Sequence, residues 1–291
     1  MDWTGRRITA LLENALKEDC ATQDATSQAC IDPAQRASAT ILAKQDCILS
    51  GLGCIQPILE IYAHLDGKVT SHPDVRSSPE IFDGVRLRKG QSIAVIRHNA
   101  RIILACERLI LNIMQRMTGI ATATRHYVDA VAGTKVKILD TRKTAPGLRM
   151  LDKWAVRCGG GINHRLDLSD GILIKNNHVA LAGGAVPALE RALHNRRSGL
   201  VEIEVRSLEE FDQALQHGAE AILLDNMTPE QVREAVQRME RLGRKVPLEA
   251  SGGINLSNIR AYAEAGVDFI SVGALTHSVP AADLSMRLQP A

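Results

Sequence analysis

The sequence predicts an α/β protein with a mixed α/β N-terminal domain followed by a part of parallel β/α architecture. Three observations predict this fold. The 291 residues are 45% hydrophobic, which is enough apolar material for a large core. From about residue 135, short apolar runs alternate with segments of helical periodicity, the pattern of parallel strands joined by helices. Before that point, helix and strand patterns are mixed without regular alternation.

Local periodicity predicts the elements of the N-terminal part. They are a helix (6–17), a polar loop (19–32), a strand pair (37–44 and 46–51), a helix (53–65) and strands over 84–101 with a turn at Lys89-Gly90. A long apolar helix is predicted over 102–117, and Arg108 lies in its middle, next to Glu107. Because an arginine is rarely buried without a partner, Arg108 either stays at the surface or near Glu107, or points into an anion site.

The barrel part begins where the alternation becomes regular. Its predicted strands are 136–140, 171–175, 201–205, 221–225, 247–251 and 268–273. The helices predicted between them are 147–158, 187–197, 208–217, 229–241 and 256–265. Such strands close into a barrel or form a doubly wound sheet. No G-x-G-x-x-G follows the first strand, which argues against a dinucleotide-binding fold.

Polar, charged or glycine residues mark the C-terminal end of every predicted barrel strand. These ends are 140–143, 175–178, Glu202 with Glu204, 225–226, 251–253 and 271–273. Barrel enzymes carry their chemistry at this end of the strands. Because a purely structural barrel needs no such groups there, the sequence predicts an enzyme.

Cations are concentrated between residues 138 and 178. They are Arg142, Lys143, Arg149, Lys153, Arg157, His164, Arg165 and Lys175. The whole chain has a formal charge of only +2 and 3% aromatic residues, which argues against a general nucleic-acid or membrane surface. Since gathered cations repel one another unless anions lie among them, the stretch predicts a pocket for a carboxylate- or phosphate-rich ligand. Lys175 also fits a Schiff-base lysine of an aldolase-type barrel, if burial or a neighbouring cation activates it.

Three carboxylates are predicted to lie together. Glu202 and Glu204 share one face of their strand by period-2 alternation, and Asp225 should lie beside Glu204 at the end of the next strand. Carboxylates in a barrel interior need cations, a metal or hydroxyl groups around them. These can hold Mg²⁺ or a sugar diol, or they form internal salt bridges to Arg142 or Lys175.

Glycines follow the last two predicted strands. Ser251, Gly252 and Gly253 let the backbone approach an anion closely, and a helix predicted to start near Asn255 would offer free N–H groups. Gly273 follows the next strand, where barrels commonly complete a phosphate site. The alternative is a pair of ordinary turns between strand and helix.

The cysteines and the N-terminal segment indicate the cellular compartment in which the protein is expected. None of the six cysteines belongs to a C-x-x-C pair or to a zinc-type spacing, so we expect reduced thiols, with Cys106 buried in an apolar run. The N-terminus lacks a secretory apolar region, and no apolar run approaches the roughly 20 residues of a membrane span. The expectation is a soluble cytoplasmic protein.

Several motifs occur in one order along nearly the whole chain. They are ERLILN with GIATAT (107–124), DTRKTAPGLR (140–149), GGGINHR (159–165), LIKNNH (173–178), VEIEV (201–205), LLDNM (223–227), LEASGGI (248–254) and SVGALTHS (271–278). In this order they resemble the quinolinate phosphoribosyltransferase family. The resemblance implies a mixed α/β N-terminal domain over 1–117, with 277–291 packing back on it, and an incomplete parallel β/α barrel over 118–276.

The resemblance also implies the reaction and the roles of residues. The family joins quinolinate to 5-phosphoribosyl-1-pyrophosphate with Mg²⁺, giving nicotinate mononucleotide, pyrophosphate and carbon dioxide in NAD biosynthesis. Quinolinate would be bound by Arg108, Arg142, His164, Arg165 and Lys175, with Lys143 close to substrate or pyrophosphate. The ribose and metal would be held by Glu204 and Asp225, and the 5′-phosphate by Ser251, Gly252, Gly253 and Gly273. Lys143, Lys175, Glu204 and Asp225 would be catalytic, and Arg108 would come from the partner subunit of a homodimer.

Two residues depart from the family pattern. Asn176 stands where an acid is common, and Cys20 stands in a loop where a glycine is common.

A paralogue of the same fold linked to molybdenum transport is the nearest alternative, and the retained cations argue against it. A non-catalytic phosphate-binding barrel is another, and the retained carboxylates argue against that.

Overall fold

The computed structural model describes residues 1–67, 72–197 and 199–291. Within it the chain forms two compact units. The first consists of Met1–Ala123, Pro146–Gly159 and Val279–Ala291, and the second of Thr124–Ala145 and Gly160–Ser278. These limits differ from the predicted domain boundaries, because the segment 146–159 is grouped with the first unit and not with the barrel.

Strands and helices follow one another along the chain. The strands are β1 (Arg36–Ala43), β2 (Cys47–Ile48), β3 (Asp74–Arg76), β4 (Arg86–Leu87), β5 (Ser92–Asn99), β6 (Lys137–Leu139), β7 (Ile172–Ile174), β8 (Val201–Val205), β9 (Ala221–Asp225), β10 (Leu248–Ser251), β11 (Phe269–Ser271) and β12 (Leu284–Pro290). The helices are α1 (Arg6–Glu18), α2 (Ala25–Cys30), α3 (Ile55–Asp66), α4 (Ala100–Ala130), α5 (Arg149–Cys158), α6 (Asn176–Ala182), α7 (Ala185–Asn195), α8 (Leu208–Gln216), α9 (Pro229–Arg241), α10 (Ile259–Glu264) and α11 (Ala274–His277).

The first unit is built on a four-stranded antiparallel sheet. Its strand order is β12-β1-β5-β3, and a separate short pair joins β2 to β4. Every second residue of β1 is buried, namely Ala37, Ala39, Ile41 and Ala43. This alternation is what a strand shows when one face is covered by a core. On α1, apolar residues at helical spacing (Ile8, Leu12 and Leu16) are buried in the same way.

Contacts of α5 explain why its segment belongs to the first unit. The Arg116 guanidinium donates through Nε and Nη2 to the two carboxylate oxygens of Asp152, each at 2.8 Å. Asp152 is fully buried, so this bidentate pair neutralises a charge that would otherwise be costly. Two residues further along α5, Trp154 Nε1 donates to Asp83 Oδ2 at 2.8 Å.

The second unit is a six-stranded parallel sheet with the order β6-β11-β10-β9-β8-β7. The two edge strands, β6 and β7, do not pair with each other, and a single bridge joins Leu139 of β6 to Ile162. Helix α9 begins with a capping box. Thr228 Oγ1 accepts a hydrogen bond from the Gln231 N–H, and Gln231 Oε1 accepts one from the Thr228 N–H. The predicted class, a mixed α/β part with an incomplete parallel β/α barrel, is confirmed.

Several local predictions were wrong. The expected loop over 19–32 contains a 3₁₀ turn and α2, whose first turn is capped by Asp24 accepting from the Ser27 N–H at 3.1 Å. The expected strand 46–51 is the two-residue β2, which pairs with β4 and not with β1. Helix 102–117 is part of α4, which has 31 residues. Elements that were not predicted are β3, β12, α6 and α11.

The cysteines and hydropathy were as expected in two respects. All six cysteines are free, and Cys106 is fully buried. In the described part of the chain, none of the helices has the length and hydropathy of a membrane span.

Candidate active site

A cavity of about 340 Å³ opens at the C-terminal ends of the barrel strands. It is lined by Thr141, Arg142, Lys143, His164, Arg165, Leu173, Lys175, Glu204, Leu223, Asp225, Glu249, Ser251 and Ser271. Most of the residues proposed from the sequence are thus brought to one place. Arg149, Lys153 and Arg157, from the same cation-rich stretch, lie on α5 in the first unit instead.

Arg108 lies on α4 in the first unit and is not among these lining residues. Its side chain is exposed, and it forms no ion pair with Glu107 or with another residue in the described ranges. The local Glu107–Arg108 arrangement is therefore not formed among the described residues, and a role of Arg108 in an anion site stays a prediction.

Two arginines, Arg142 after β6 and Arg165, contribute to the positively charged side of the cavity. Burial lowers the pKa of the Arg165 guanidinium, Arg142 lowers it further, and Glu202 opposes both. The Nε atom of Arg142 is buried and has no hydrogen-bond partner among the described residues. A buried donor of this kind is costly unless an acceptor reaches it, so this pair of guanidinium groups is suited to an anion.

Lys143 is held by its backbone. Its N–H donates to Thr141 Oγ1 at 3.0 Å, and its carbonyl accepts from Thr276 Oγ1 at 2.9 Å. Lys175 directly precedes α6. In the first turn of this helix, His178 Nδ1 accepts a hydrogen bond from the Lys175 N–H at 2.9 Å. Lys175 is exposed, so burial does not supply the desolvation that a Schiff-base lysine needs.

Glu204 and Asp225 form the acidic side. Burial raises the pKa of Glu204, the charge of Asp225 raises it further, and Lys175 and Arg206 oppose the shift. Arg206 Nε lies 3.1 Å from Asp225 Oδ2, and its Nη2 lies 4.0 Å from Glu204 Oε1. The sequence-based alternative of internal salt bridges named Arg142 or Lys175, whereas the ion pairs in the structure are made by Arg206. Two facing carboxylates with one exposed cation are suited to a metal ion or ribose hydroxyls.

His164 lines the cavity and is largely buried, with a side chain that is 15% exposed. Its Nε2 lies 3.2 Å from Glu202 Oε2 and 3.3 Å from Glu249 Oε2. Burial disfavours the charged ring, but hydrogen bonds and charges of the two glutamates outweigh it and raise the pKa of His164. The backbone of His164 is fixed by Asp140, which accepts from the His164 N–H at 2.8 Å and from Asn163 Nδ2 at 2.6 Å.

The same three side chains could be taken for a metal site, because their donor atoms lie within 4.8 Å of one another. The Arg165 N–H, however, donates to His164 Nδ1 at 2.7 Å, so Nδ1 presents a lone pair. In a neutral imidazole the proton then lies on Nε2, which therefore donates to the glutamates and is not available to a metal. The cluster is hydrogen-bonded, and the carboxylates that could hold a cation are Glu204 and Asp225.

The glycines after β10 adopt conformations that fit their predicted role. Gly252 has φ +92°, and a Cβ placed there would lie 2.3 Å from Asn226 Oδ1 and 2.9 Å from Asn226 N. Gly253 has φ +63° with open space around it, and a Cβ on Gly273 would lie 3.0 Å from Lys143 Cδ. The helix expected near Asn255 begins only at Ile259, so the backbone of the turn, and not a helix N-terminus, faces the strand ends.

Sequence reasoning missed two side chains of the cavity and its border, Arg206 and Glu249. Ser271 and Asp140 were predicted only as polar residues at strand ends, without a role of their own. Period-2 alternation was a usable signal for one of them, because Glu249 and Ser251 lie on the same face of β10. Arg206 gave no signal, since it directly follows β8 and looks like an ordinary loop cation.

A parallel β/α barrel that collects cations, carboxylates and glycine turns at its strand ends defines an enzyme that acts on anionic substrates. Comparison with known families narrows this class. The model described as quinolinate phosphoribosyl transferase, C-terminal domain, matches residues 120–287, and the model of the N-terminal domain matches residues 24–118. The chain therefore belongs to the quinolinate phosphoribosyltransferase family.

Individual relatives agree with this assignment. The chain is 43% identical to nicotinate-nucleotide pyrophosphorylase (carboxylating) of Mycobacterium leprae, covering 95% of each chain. It is 40% identical to the probable enzyme of the same name from Bacillus subtilis, covering 96% of this chain and 93% of that one. The solved structure of the nicotinate-nucleotide pyrophosphorylase from Francisella tularensis superposes with a TM-score of 0.87 at 38% identity, over 97% and 96% of the two chains.

Proposed function

We propose that this chain transfers the phosphoribosyl group of 5-phosphoribosyl-1-pyrophosphate to the ring nitrogen of quinolinate. Loss of carbon dioxide then gives nicotinate mononucleotide, and pyrophosphate is the other product, as a step of NAD biosynthesis. The observation that carries the proposal is one cavity that holds Arg142, Arg165 and Lys175 together with Glu204 and Asp225. Family membership and the names of the relatives support the same reaction.

The cations are suited to a planar dianion. A guanidinium can donate two parallel hydrogen bonds to a carboxylate, and each charge-assisted bond contributes roughly 1.5–3 kcal/mol net. Arg142 and Arg165 are therefore proposed to bind the two carboxylates of quinolinate, with Lys175 beside them and Lys143 nearer to the pyrophosphate. His164 stays a proposed part of this site, although both of its ring nitrogens have protein partners in the structure.

The acidic side is suited to the reacting ribose. Departure of pyrophosphate leaves positive charge at the ribose C1, which the carboxylates of Glu204 and Asp225 can stabilise. After attack by the ring nitrogen, the pyridinium formed is itself the electron sink for loss of the adjacent carboxylate. No organic cofactor is needed for that step.

Mg²⁺ is proposed as the accompanying cation. The carboxylate oxygens of Glu204 and Asp225 are hard donors of the kind that Mg²⁺ prefers, and both line the cavity. When bound, Mg²⁺ would neutralise charge that develops on the departing pyrophosphate. The 5′-phosphate is proposed to lie against Ser251, Gly252, Gly253 and Gly273, where the absence of side chains lets backbone N–H groups approach it.

The choice of acceptor tests the proposal. With purified protein, 5-phosphoribosyl-1-pyrophosphate and Mg²⁺, quinolinate should be converted with release of carbon dioxide. Nicotinate, with one carboxylate, should react up to about 10⁴–10⁵-fold less efficiently, because it leaves buried cations unpaired. Comparable kcat/KM values for nicotinate and quinolinate would contradict the assignment.

A homodimer that shares its active sites is also proposed. It is supported by Arg108, an exposed arginine in a largely apolar helix that has no ion-pair partner in the part of the chain described. If the partner subunit supplies Arg108, the variants Arg108→Ala and Lys175→Ala should each be nearly inactive. Mixed with proven subunit exchange, they should recover roughly a quarter of wild-type activity, because half the dimers then carry one intact site of two. No recovery would refute the shared site.

The cytoplasm is the proposed compartment. All six cysteines are free in the structure, which is usual for proteins of a reducing environment.

A further inference from the structure

Glu249 is a buried carboxyl group in the cavity wall with no part in the chemistry described above. It lies on β10 and is only 4% exposed. Its Oε2 faces His164 Nε2 at 3.3 Å, while its Oε1 is buried without a hydrogen-bond partner among the described residues. Ser271 lowers the pKa of Glu249, but a buried oxygen without a hydrogen bond still makes the charged carboxyl unfavourable, so the contact with His164 is needed to offset that cost.

Glu249 contacts His164, and His164 is hydrogen-bonded to Arg165, one of the cations proposed to bind the acceptor. The Nε2 atom of His164 faces the carboxylates of Glu202 and Glu249. Its Nδ1 atom accepts a hydrogen bond from the backbone N–H of Arg165. The orientation of the ring therefore sets the position of the Arg165 backbone. Asp140 holds the other end of this segment, by accepting the His164 N–H.

The protons in this cluster can be assigned from its geometry. The two glutamates favour a charged His164, yet the Arg165 N–H requires a lone pair on Nδ1. The hydrogen bond from the Arg165 N–H selects the neutral ring, which donates from Nε2, and the additional proton of the cluster then lies on Glu249, since burial raises the pKa of that carboxyl. Arg142 and Arg165 line the same cavity as His164 and Glu249, and the charge of Glu202 acts on Arg165.

We propose that Glu249 is a positioning residue for the acceptor, which together with Glu202 holds the His164 ring so that Arg165 is aimed at a substrate carboxylate. This inference rests on the proposed function and names the interior residues that prepare its acceptor site. Glu249 does not touch the substrate. It acts through His164, and loss of its contact leaves the ring free to turn and the Arg165 backbone less well fixed.

The test is the variant Glu249→Gln, which keeps the size of the side chain and removes the carboxyl. The KM for quinolinate should rise about 10- to 100-fold, since misplacing a binding group by about 1 Å has effects of this size. The kcat should change less than about threefold, and the KM for 5-phosphoribosyl-1-pyrophosphate should stay at the wild-type value. A purely structural defect would instead alter all three constants.

Glu220→Gln is the matched control. Glu220 is also a carboxylate of the barrel, but it lies at the start of β9, where it accepts the Val201 N–H at 2.9 Å and pairs with Arg196. Its substitution should leave the KM for quinolinate unchanged. If Glu249→Gln does not fold, Glu202→Gln tests the same cluster, with the same expected increase in that KM.

A second readout concerns the ring itself. In a ¹⁵N spectrum of histidine-labelled protein, His164 should show an unprotonated Nδ1 and a protonated Nε2, and Glu249→Gln should broaden or shift the Nε2 signal. Wild-type KM for quinolinate in both glutamate variants, or an Nδ1 that carries a proton, would overturn the inference. A wild-type protein that does not use quinolinate would overturn the proposed function instead, so the two failures are distinguishable.

Discussion

Strand β1 of the first unit and strand β8 of the second share one alternating pattern and put it to different uses. In β1 the buried face carries Ala39 and Ile41, and the other residues face outward. In β8 the apolar residues Val201, Ile203 and Val205 are fully buried, while Glu202 and Glu204 are turned toward the barrel interior. The first strand contributes to a core, whereas the second strand presents charge to a cavity while its other face stabilises the fold.

Buried charge shows the same contrast. In the first unit, Asp152 is fully buried and paired through both oxygens with Arg116. In the second unit, Arg142 and Glu249 each keep a buried atom without a hydrogen-bond partner in the described ranges. The difference between Asp152 and these two side chains teaches that a buried charge of the first unit is neutralised within the protein, whereas Arg142 keeps a donor free for a ligand of the cavity.

The largest expected effect is on the stability of the first unit. Asp152→Ala should lower the free energy of unfolding by about 3–5 kcal/mol, because it leaves the Arg116 charge without its buried partner. Asp74→Ala is the control, since Asp74 pairs with Arg76 at the surface, where such pairs contribute about 0–1 kcal/mol. Denaturant unfolding would measure both. Equal effects of the two substitutions would mean that the buried pair contributes no more than a surface pair.

The next effect should be on turnover and not on stability. Asp225→Ala should reduce kcat about 10²–10³-fold, because it removes charge that stabilises the transition state. The free energy of unfolding should stay within about 1 kcal/mol of wild type, since the cation left without its partner, Arg206, has a side chain that is 55% exposed. Asp212→Ala, which removes a surface partner of Arg238, should leave kcat unchanged.

Equilibrium binding of quinolinate separates two explanations of that result. If Asp225 acts on ribose and metal, the Asp225→Ala variant should bind quinolinate as wild type does. Loss of binding would show that this carboxylate orders the acceptor site, and the contrast between a positively charged acceptor side and an acidic ribose side would then fail.

The smallest expected effect comes from the glycine turn. Gly252→Ala should destabilise the protein by about 1–3 kcal/mol and raise the KM for 5-phosphoribosyl-1-pyrophosphate, because its Cβ would clash with Asn226 at a φ of +92°. Gly253→Ala should cost about 1–2 kcal/mol for its left-handed conformation alone. The KM values of the two variants for 5-phosphoribosyl-1-pyrophosphate test whether Gly252 contributes to phosphate binding. If these KM values are equal, the close approach at Gly252 has no role in phosphate binding.

Much of the barrel could be predicted from the sequence, and less of the first unit. The alternation of β8 and the capping residues of α9 are local signals, and both elements were predicted with their observed limits. The pairing of β2 with β4 and the two contacts that hold α5 are not local, so no periodicity reveals them. Short α2 was missed because a single cap at Asp24 defines it within a polar segment.

The site shows the same limit. Residues at strand ends could be found because their position in the pattern places them at one rim. The proton arrangement of His164 could not, because it depends on a glutamate from β10 and a backbone N–H of its own loop meeting one ring. Strand alternation indicates the face on which Glu249 lies, but not which side chain it contacts.

The pairing of β12 with β1 has a consequence for the order of synthesis. Strand β1 leaves the ribosome early, yet its neighbour along one edge, residues 284–290, is made only after the whole second unit. Until then, the N–H and C=O groups of that edge lack their strand partner, and an unpaired edge is a site for unwanted association. The first unit therefore completes its sheet last although most of its chain is made first, and a nascent chain stalled within the barrel would expose β1 to its neighbours on the polysome.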